Sequence, residues 1–78
     1  MNLGEKLRAI RQAEHLTQRQ MATAVALSLD TYKNYELVRR PVGAPTLLAV
    51  SQHPQFSKYT LWMMANQTAP AAGQVSPV

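Results

Sequence analysis

The sequence predicts an all-α protein, with one compact domain of five short helices over residues 1–66 and a flexible C-terminal tail over residues 67–78. Three observations support this prediction. The chain has 78 residues, enough for one domain with a modest core. No stretch alternates β-branched and polar residues as a strand would. Helix-capping residues recur instead, each ahead of apolar residues at helical spacing.

The first three helices are predicted from their caps and apolar stripes. Asn2 begins a capping-box pattern, and Thr17 and Ser28 are N-cap residues for the next two helices. The second helix should cover about residues 17–26 and the third about residues 28–37. The apolar residues that would face the core at helical spacing are Leu3, Leu7, Ile10, Met21, Ala22, Val25, Tyr32 and Tyr35.

Two further helices are predicted in the second half of the chain. Pro45 suits the first turn of a fourth helix that ends near Gln52. Ser57 caps a fifth helix, which carries the crowded apolar run 61–64. From residue 67 to residue 78 the chain contains no charge and consists largely of Ala, Pro, Gly, Ser and Gln, and this composition predicts a flexible tail.

The connection between the second and third helices is too short for an antiparallel pair. Only Ala26 and Leu27 stand before the Ser28 cap, so the two helices must cross steeply. Such a crossing needs a small residue where the helices touch, and Ala22 supplies it. The pattern predicts a helix-turn-helix.

Charge is concentrated in the first half of the chain. The net charge is +4, and all four acidic residues and all basic residues except Lys58 precede position 41. A basic domain is a candidate for binding nucleic acid or an anionic membrane surface, although the charge could also serve solubility alone. The absence of cysteine and of any long apolar run favours a soluble, cytoplasmic protein without disulfides or a membrane span.

No constellation of catalytic or metal-binding residues is evident. His15 and His53 are far apart in the sequence and have no neighbouring ligand pair, and Ser28 has no nearby base. There is no glycine-rich phosphate loop. We therefore expect no enzymatic activity, no metal, no cofactor and no small-molecule ligand.

Residues 17–36, TQRQMATAVALSLDTYKNYE, resemble the helix-turn-helix of the Cro/C1-type (XRE-like) phage repressors. The matching features are Leu16–Gln18, Met21-Ala22, Ser28, Thr31-Tyr32 and Tyr35-Glu36. Residues 45–48 and 61–63 fit the later helices of that family, so the resemblance covers roughly residues 3–66. It implies sequence-specific binding of double-stranded DNA, with the third helix in the major groove.

The resemblance assigns roles to individual residues. It implies base reading by Leu29, Asp30, Lys33 and Asn34, where Asn34 suits adenine and Lys33 suits guanine. For Asp30, stabilisation of the helix dipole is an equally good interpretation. Phosphate contacts are implied for Thr17, Gln18, Arg19, Thr31, Arg39 and Arg40, each of which could also be an ordinary cap or surface residue. An internal ion pair is implied between Arg11 and Glu36.

Two positions depart from the family pattern. Ala26 stands in the turn where the family usually has glycine, and Leu37-Val38 follow Glu36 where a glycine is usual. An alanine held in the left-handed region costs on the order of 1 kcal/mol, so either this cost is borne or the turn is reshaped.

The apolar run of the predicted fifth helix cannot all face inward. We expect part of Trp62, Met63 and Met64 to form a homodimer interface. The preferred function is a phage or prophage repressor of transcription that binds a palindromic operator, with a protein antagonist as a further candidate partner. The alternatives are an autoregulating antitoxin and a protein-interaction module that has lost DNA binding.

Overall fold

Five α-helices form the domain in a computed structural model that describes all 78 residues. They are α1 (Leu3–Ala13), α2 (Gln18–Ala24), α3 (Leu29–Glu36), α4 (Ala44–Gln52) and α5 (Thr60–Ala65). Short 3-10 turns cover Ser57–Tyr59 and Pro70–Ala72. None of the helices combines the length and apolar character that crossing a membrane requires. The predicted all-α architecture with five helices is confirmed.

Side-chain caps fix the starts of the first three helices. Asn2 accepts a hydrogen bond from the backbone N–H of Glu5, whose side chain in turn accepts from the N–H of Asn2. Thr17 forms the same reciprocal box with Gln20. Ser28 caps α3 by accepting from the N–H of Thr31 at 3.1 Å. These contacts satisfy donors that a helix N-terminus otherwise leaves without partners.

The core gathers apolar side chains from all five helices and from the segment that precedes α5. Its fully buried large side chains are Leu7, Ile10, Met21, Tyr32, Val50, Phe56 and Met63. Burying a side chain of this size is worth roughly 1.5–3 kcal/mol relative to leaving it in water. The core therefore supplies the main force that holds α1 to α3 against α4 and α5.

The start of α1 packs directly on the end of α3. A β-carbon built on Gly4 would lie 2.1 Å from the carbonyl oxygen of Tyr35, which no real structure tolerates. Only glycine allows this approach, and the approach fixes where α3 ends relative to α1.

Lys6, one of the basic residues concentrated in the first half of the chain, is buried. It is 4% exposed, and its Nζ donates to the carbonyl oxygens of Trp62 at 3.0 Å and Met63 at 2.8 Å. These carbonyls belong to the last turn of α5, whose C-terminal end attracts a cation, and the Trp62 carbonyl also accepts from the backbone N–H of Asn66. The ammonium also lies 5.3 Å from the centre of the Trp62 ring. Lys6 thus fastens α5 to α1.

The C-terminal residues 67–78 do not form the flexible tail that their composition predicts. Ala69 and Gln74 pair across a tight turn, and the N–H of Val75 donates to the carbonyl of Lys58 at 2.9 Å. The Gln74 side chain accepts from the N–H of Leu61 and donates to the carbonyl of Ser57. One polar side chain therefore replaces the missing side-chain cap of α5 and holds the segment against it.

Two of the three residues expected at a dimer interface lie in the core instead. Met63 is 1% exposed and Trp62 is 9% exposed, whereas Met64 is 57% exposed. In α5, Trp62 and Met63 face Lys6 and the core. In so short a helix, the spacing of apolar residues in the sequence did not separate these inward residues from the outward Met64. The expectation of an interface is therefore corrected for Trp62 and Met63.

Candidate nucleic-acid interface

The α2–α3 connection has the geometry of a helix-turn-helix. Ala26 has φ 59°, its N–H donates to the carbonyl of Thr23, and the N–H of Leu27 donates to the carbonyl of Ala22. This is a Schellman motif, which reverses the chain direction within three residues and is usually built with glycine. Ala22 is 2% exposed at the point where the helices meet. The turn keeps its left-handed residue although an alanine occupies it.

The α3 helix has one buried and one open face. Tyr32 and Tyr35 are buried in the core. On the other side Asp30 and Lys33 are exposed, and Leu29 and Asn34 are half-buried; the structure thus brings together the four residues predicted to read bases. The Asn34 amide lies 3.5 Å from the Asp30 carboxylate, one turn back along the helix.

The exit from α3 repeats the geometry of the turn before it. Val38 has φ 58°, its N–H donates to the carbonyl of Tyr35, and the N–H of Arg39 donates to the carbonyl of Asn34. A β-branched residue in the left-handed region is strained by roughly 1–2 kcal/mol. Although no glycine follows Glu36, the backbone therefore takes the path that a glycine would give it. The side chains of Leu37 and Val38 are both exposed.

An ion pair ties α1 to the end of α3. Arg11 donates to the Glu36 carboxylate through Nε at 2.7 Å and Nη2 at 3.1 Å, and through Nη1 to the carbonyl of Leu16. Gln18, the first residue of α2, donates to the same carboxylate at 3.2 Å. Burial alone would raise the pKa of Glu36, but hydrogen bonds, the strongest from Arg11, outweigh it and lower that pKa. As a carboxylate, Glu36 therefore links α1 and α2 to the end of α3.

The residues predicted to contact phosphate occupy different surroundings. Thr17 and Gln18 line an open depression of about 530 Å³ together with Arg8, Arg11, Glu36 and Leu37. Arg19, Arg39 and Arg40 are exposed, with the Arg40 guanidinium 5.7 Å from the centre of the Tyr35 ring. The hydroxyl of Thr31 accepts from Ser28, so it belongs to the cap of α3. Arg8, which the sequence did not single out, is the one unanticipated member of this surface.

Comparisons with known proteins identify the family. The family of helix-turn-helix domains matches residues 2–57. Repressor protein C of Escherichia phage P2 is 37% identical over 75 residues, which cover 96% of this chain and 76% of the relative. The chain belongs to the helix-turn-helix family of Cro/C1-type phage repressors. The family match ends before α5, whereas the similarity to the phage repressor extends through it.

Membership makes this chain a DNA-binding regulator of transcription, as its sequence predicts. The helix-turn-helix of the structure lies inside the matched residues and includes the open face of α3. No group of three or more His, Cys, Asp or Glu residues is arranged to hold a metal ion. The chemistry available at this surface is hydrogen bonding, charge pairing and apolar contact.

Proposed function

We propose that this chain is a repressor that binds a palindromic operator as a homodimer and excludes polymerase sterically. The observation that carries the proposal is that α3 has a buried inner face and an open outer face. Its inner face is anchored in the core by Tyr32 and Tyr35, and its outer face carries side chains of three different hydrogen-bonding types and one apolar side chain. A rigid helix with such a face suits the major groove, whose base edges differ in donors, acceptors and methyl groups.

Each residue on the outer face has a chemical match in the groove. The Asn34 amide can pair with the N6 and N7 atoms of adenine, and the Lys33 ammonium can donate to guanine. Leu29 can contact a thymine methyl group. Asp30 lies close enough to the Asn34 amide to orient it, and it can also accept from a cytosine amino group.

The two departures from the family pattern weigh against a module that has lost DNA binding. Ala26 and Val38 both keep left-handed conformations with complete Schellman hydrogen bonds. The turn and the exit from α3 therefore have the shape that glycine would give them. The chain keeps strained residues both before and after α3, and this supports the proposal that the orientation of α3 matters for binding.

A dimer doubles the number of base pairs that are read and imposes a palindrome on the operator. We assign its interface to the face formed by α4, α5 and the C-terminal segment. Leu48 and Met64 are each 57% exposed there, and Leu61, Met64 and Ala72 line an apolar groove. Lys58 is the only charged side chain after Arg40, so two copies of this face can meet with little electrostatic repulsion.

Selection of bound duplexes from a random DNA pool at roughly physiological salt tests this proposal. The expected result is an inverted repeat with half-site centres about one helical turn, roughly 34 Å, apart. Enrichment of a single half-site would contradict the dimer. Enrichment of nothing by folded protein would contradict base reading and favour an interaction module, whereas co-purification with a toxin would favour an antitoxin.

A further inference from the structure

Arg8 carries the uncompensated charge of the depression between α1, the start of α2 and the end of α3. The depression contains three charged side chains, Arg8, Arg11 and Glu36. Arg11 and Glu36 pair at 2.7 Å and cancel. Arg8 is exposed and forms no ion pair and no side-chain hydrogen bond. The depression therefore has a net charge of +1, which Arg8 carries.

Neighbouring acidic groups do not neutralise Arg8. Glu5, one turn back on α1, accepts from the backbone N–H of Asn2 and makes no ion pair with Arg8. Glu14 is engaged by Tyr59 and Lys58 at the other end of α1. A planar guanidinium with free donors, held beside a polar concavity, is well suited to bidentate binding of a phosphate.

We propose that Arg8 binds a backbone phosphate of the same DNA duplex that α3 reads. This inference rests on the proposed function, because it assumes that the duplex approaches the open face of α3. The depression also contains Gln18, whose side chain Glu36 holds in place, and Leu37 from the exit of α3. Arg8 extends the binding surface from α2 and α3 onto α1, and it adds affinity without reading sequence.

The salt dependence of DNA binding tests the role of Arg8. Each phosphate neutralised contributes about 0.9 to the slope of log K against log salt concentration. We expect Arg8→Gln to lower that slope by about 0.9 for each protomer bound, both on a selected duplex and on an unrelated one. Arg8→Lys should keep most of the slope. Arg8→Gln should leave thermal unfolding unchanged because Arg8 has no intramolecular partner.

Lys58→Gln is the matched control, since it removes one positive charge from a lysine already paired with Glu14. An unchanged slope in Arg8→Gln, or an equal loss of slope in Lys58→Gln, would overturn the assignment. A third result would also overturn it: inorganic phosphate shifts the NMR signals around Arg8, but Arg8→Gln leaves the salt dependence of DNA binding unchanged. The ligand of Arg8 would then be a free anion. If the wild type preferred no duplex, the proposed function would be contradicted instead. The Arg8 assignment would still be tested separately, because the slope is also measured on unrelated DNA.

Discussion

Replacing Glu36 by glutamine removes the negative charge at the junction of α1, α2 and α3 while keeping the side-chain volume. The Glu36 side chain is 4% exposed and accepts three hydrogen bonds, two from Arg11 and one from Gln18. Glutamine retains one acceptor oxygen but turns an amide N–H₂ toward the guanidinium. Arg11 then becomes a nearly buried cation without a counter-ion.

The cost can be estimated from this geometry. Removing one partner of a buried ion pair costs about 3–5 kcal/mol. The Arg11 side chain is 16% exposed and keeps its bond to the carbonyl of Leu16, so the lower end applies, about 3 kcal/mol. In a domain of this size that loss corresponds to a decrease of roughly 12–24 °C in Tm. Stability of native domains totals only about 5–15 kcal/mol, so this loss is a large fraction of the total.

Urea denaturation followed by circular dichroism measures this loss, with an unchanged m-value as the check that the unfolding reaction is the same. The double variant Arg11→Met with Glu36→Met is the control, because it removes both charges and should be more stable than Glu36→Gln. The pH profile adds a second readout. Since the folded pKa of Glu36 is lowered, the wild type should lose stability as pH falls below the ordinary value of 4.5, and Glu36→Gln should lose less over that range. A loss below about 0.5 kcal/mol at neutral pH would refute the reasoning.

Three further substitutions test the packing and the backbone. Val38→Gly should raise the free energy of unfolding by about 0.5–1 kcal/mol in urea titrations, because glycine relieves the positive φ at the exit of α3; a loss would contradict the assigned strain. Gly4→Ala should lower Tm by an amount equivalent to about 2 kcal/mol or more, because the β-carbon of the alanine would meet the carbonyl of Tyr35. An unchanged Tm would contradict the close approach of α1 to the end of α3. Gln74→Ala should cost about 1–2 kcal/mol and accelerate proteolysis of residues 67–78, because one hydrogen bond to α5 and one to the 3-10 turn before it are lost; equal cleavage rates would argue against the folded-back segment.

Features set by neighbouring residues were predictable from the sequence. The caps at Asn2, Thr17 and Ser28 each depend on a residue three positions away, and the inward faces of α1 to α3 follow helical spacing. The helix-turn-helix followed from the two-residue connection at Ala26 and Leu27. These signals are local, and tertiary structure did not override them.

Features set by distant contacts could not be predicted in this way. The burial of Lys6 depends on carbonyls 56 and 57 positions later in the chain. The order of residues 67–78 depends on contacts with residues 57–61, made by the Gln74 side chain and the Val75 backbone, in a segment whose composition is otherwise typical of disorder. Trp62 and Met63 face the core because Lys6 and α1 lie on that side of α5. Arg8 became a candidate only from the structure, which places it in the same depression as Arg11 and Glu36 and gives it no acidic partner.

The most direct test of the account is to repeat the random-pool selection with Lys33→Ala and Asn34→Ala beside the wild type, with Arg19→Ala as a phosphate-contact control. If the outer face of α3 reads bases, each of the first two variants should lose preference at its own position within each half-site, by about 1–3 kcal/mol, and keep the rest of the consensus. Arg19→Ala should keep the whole consensus and bind more weakly. A consensus identical in all four proteins would show that another surface reads the DNA.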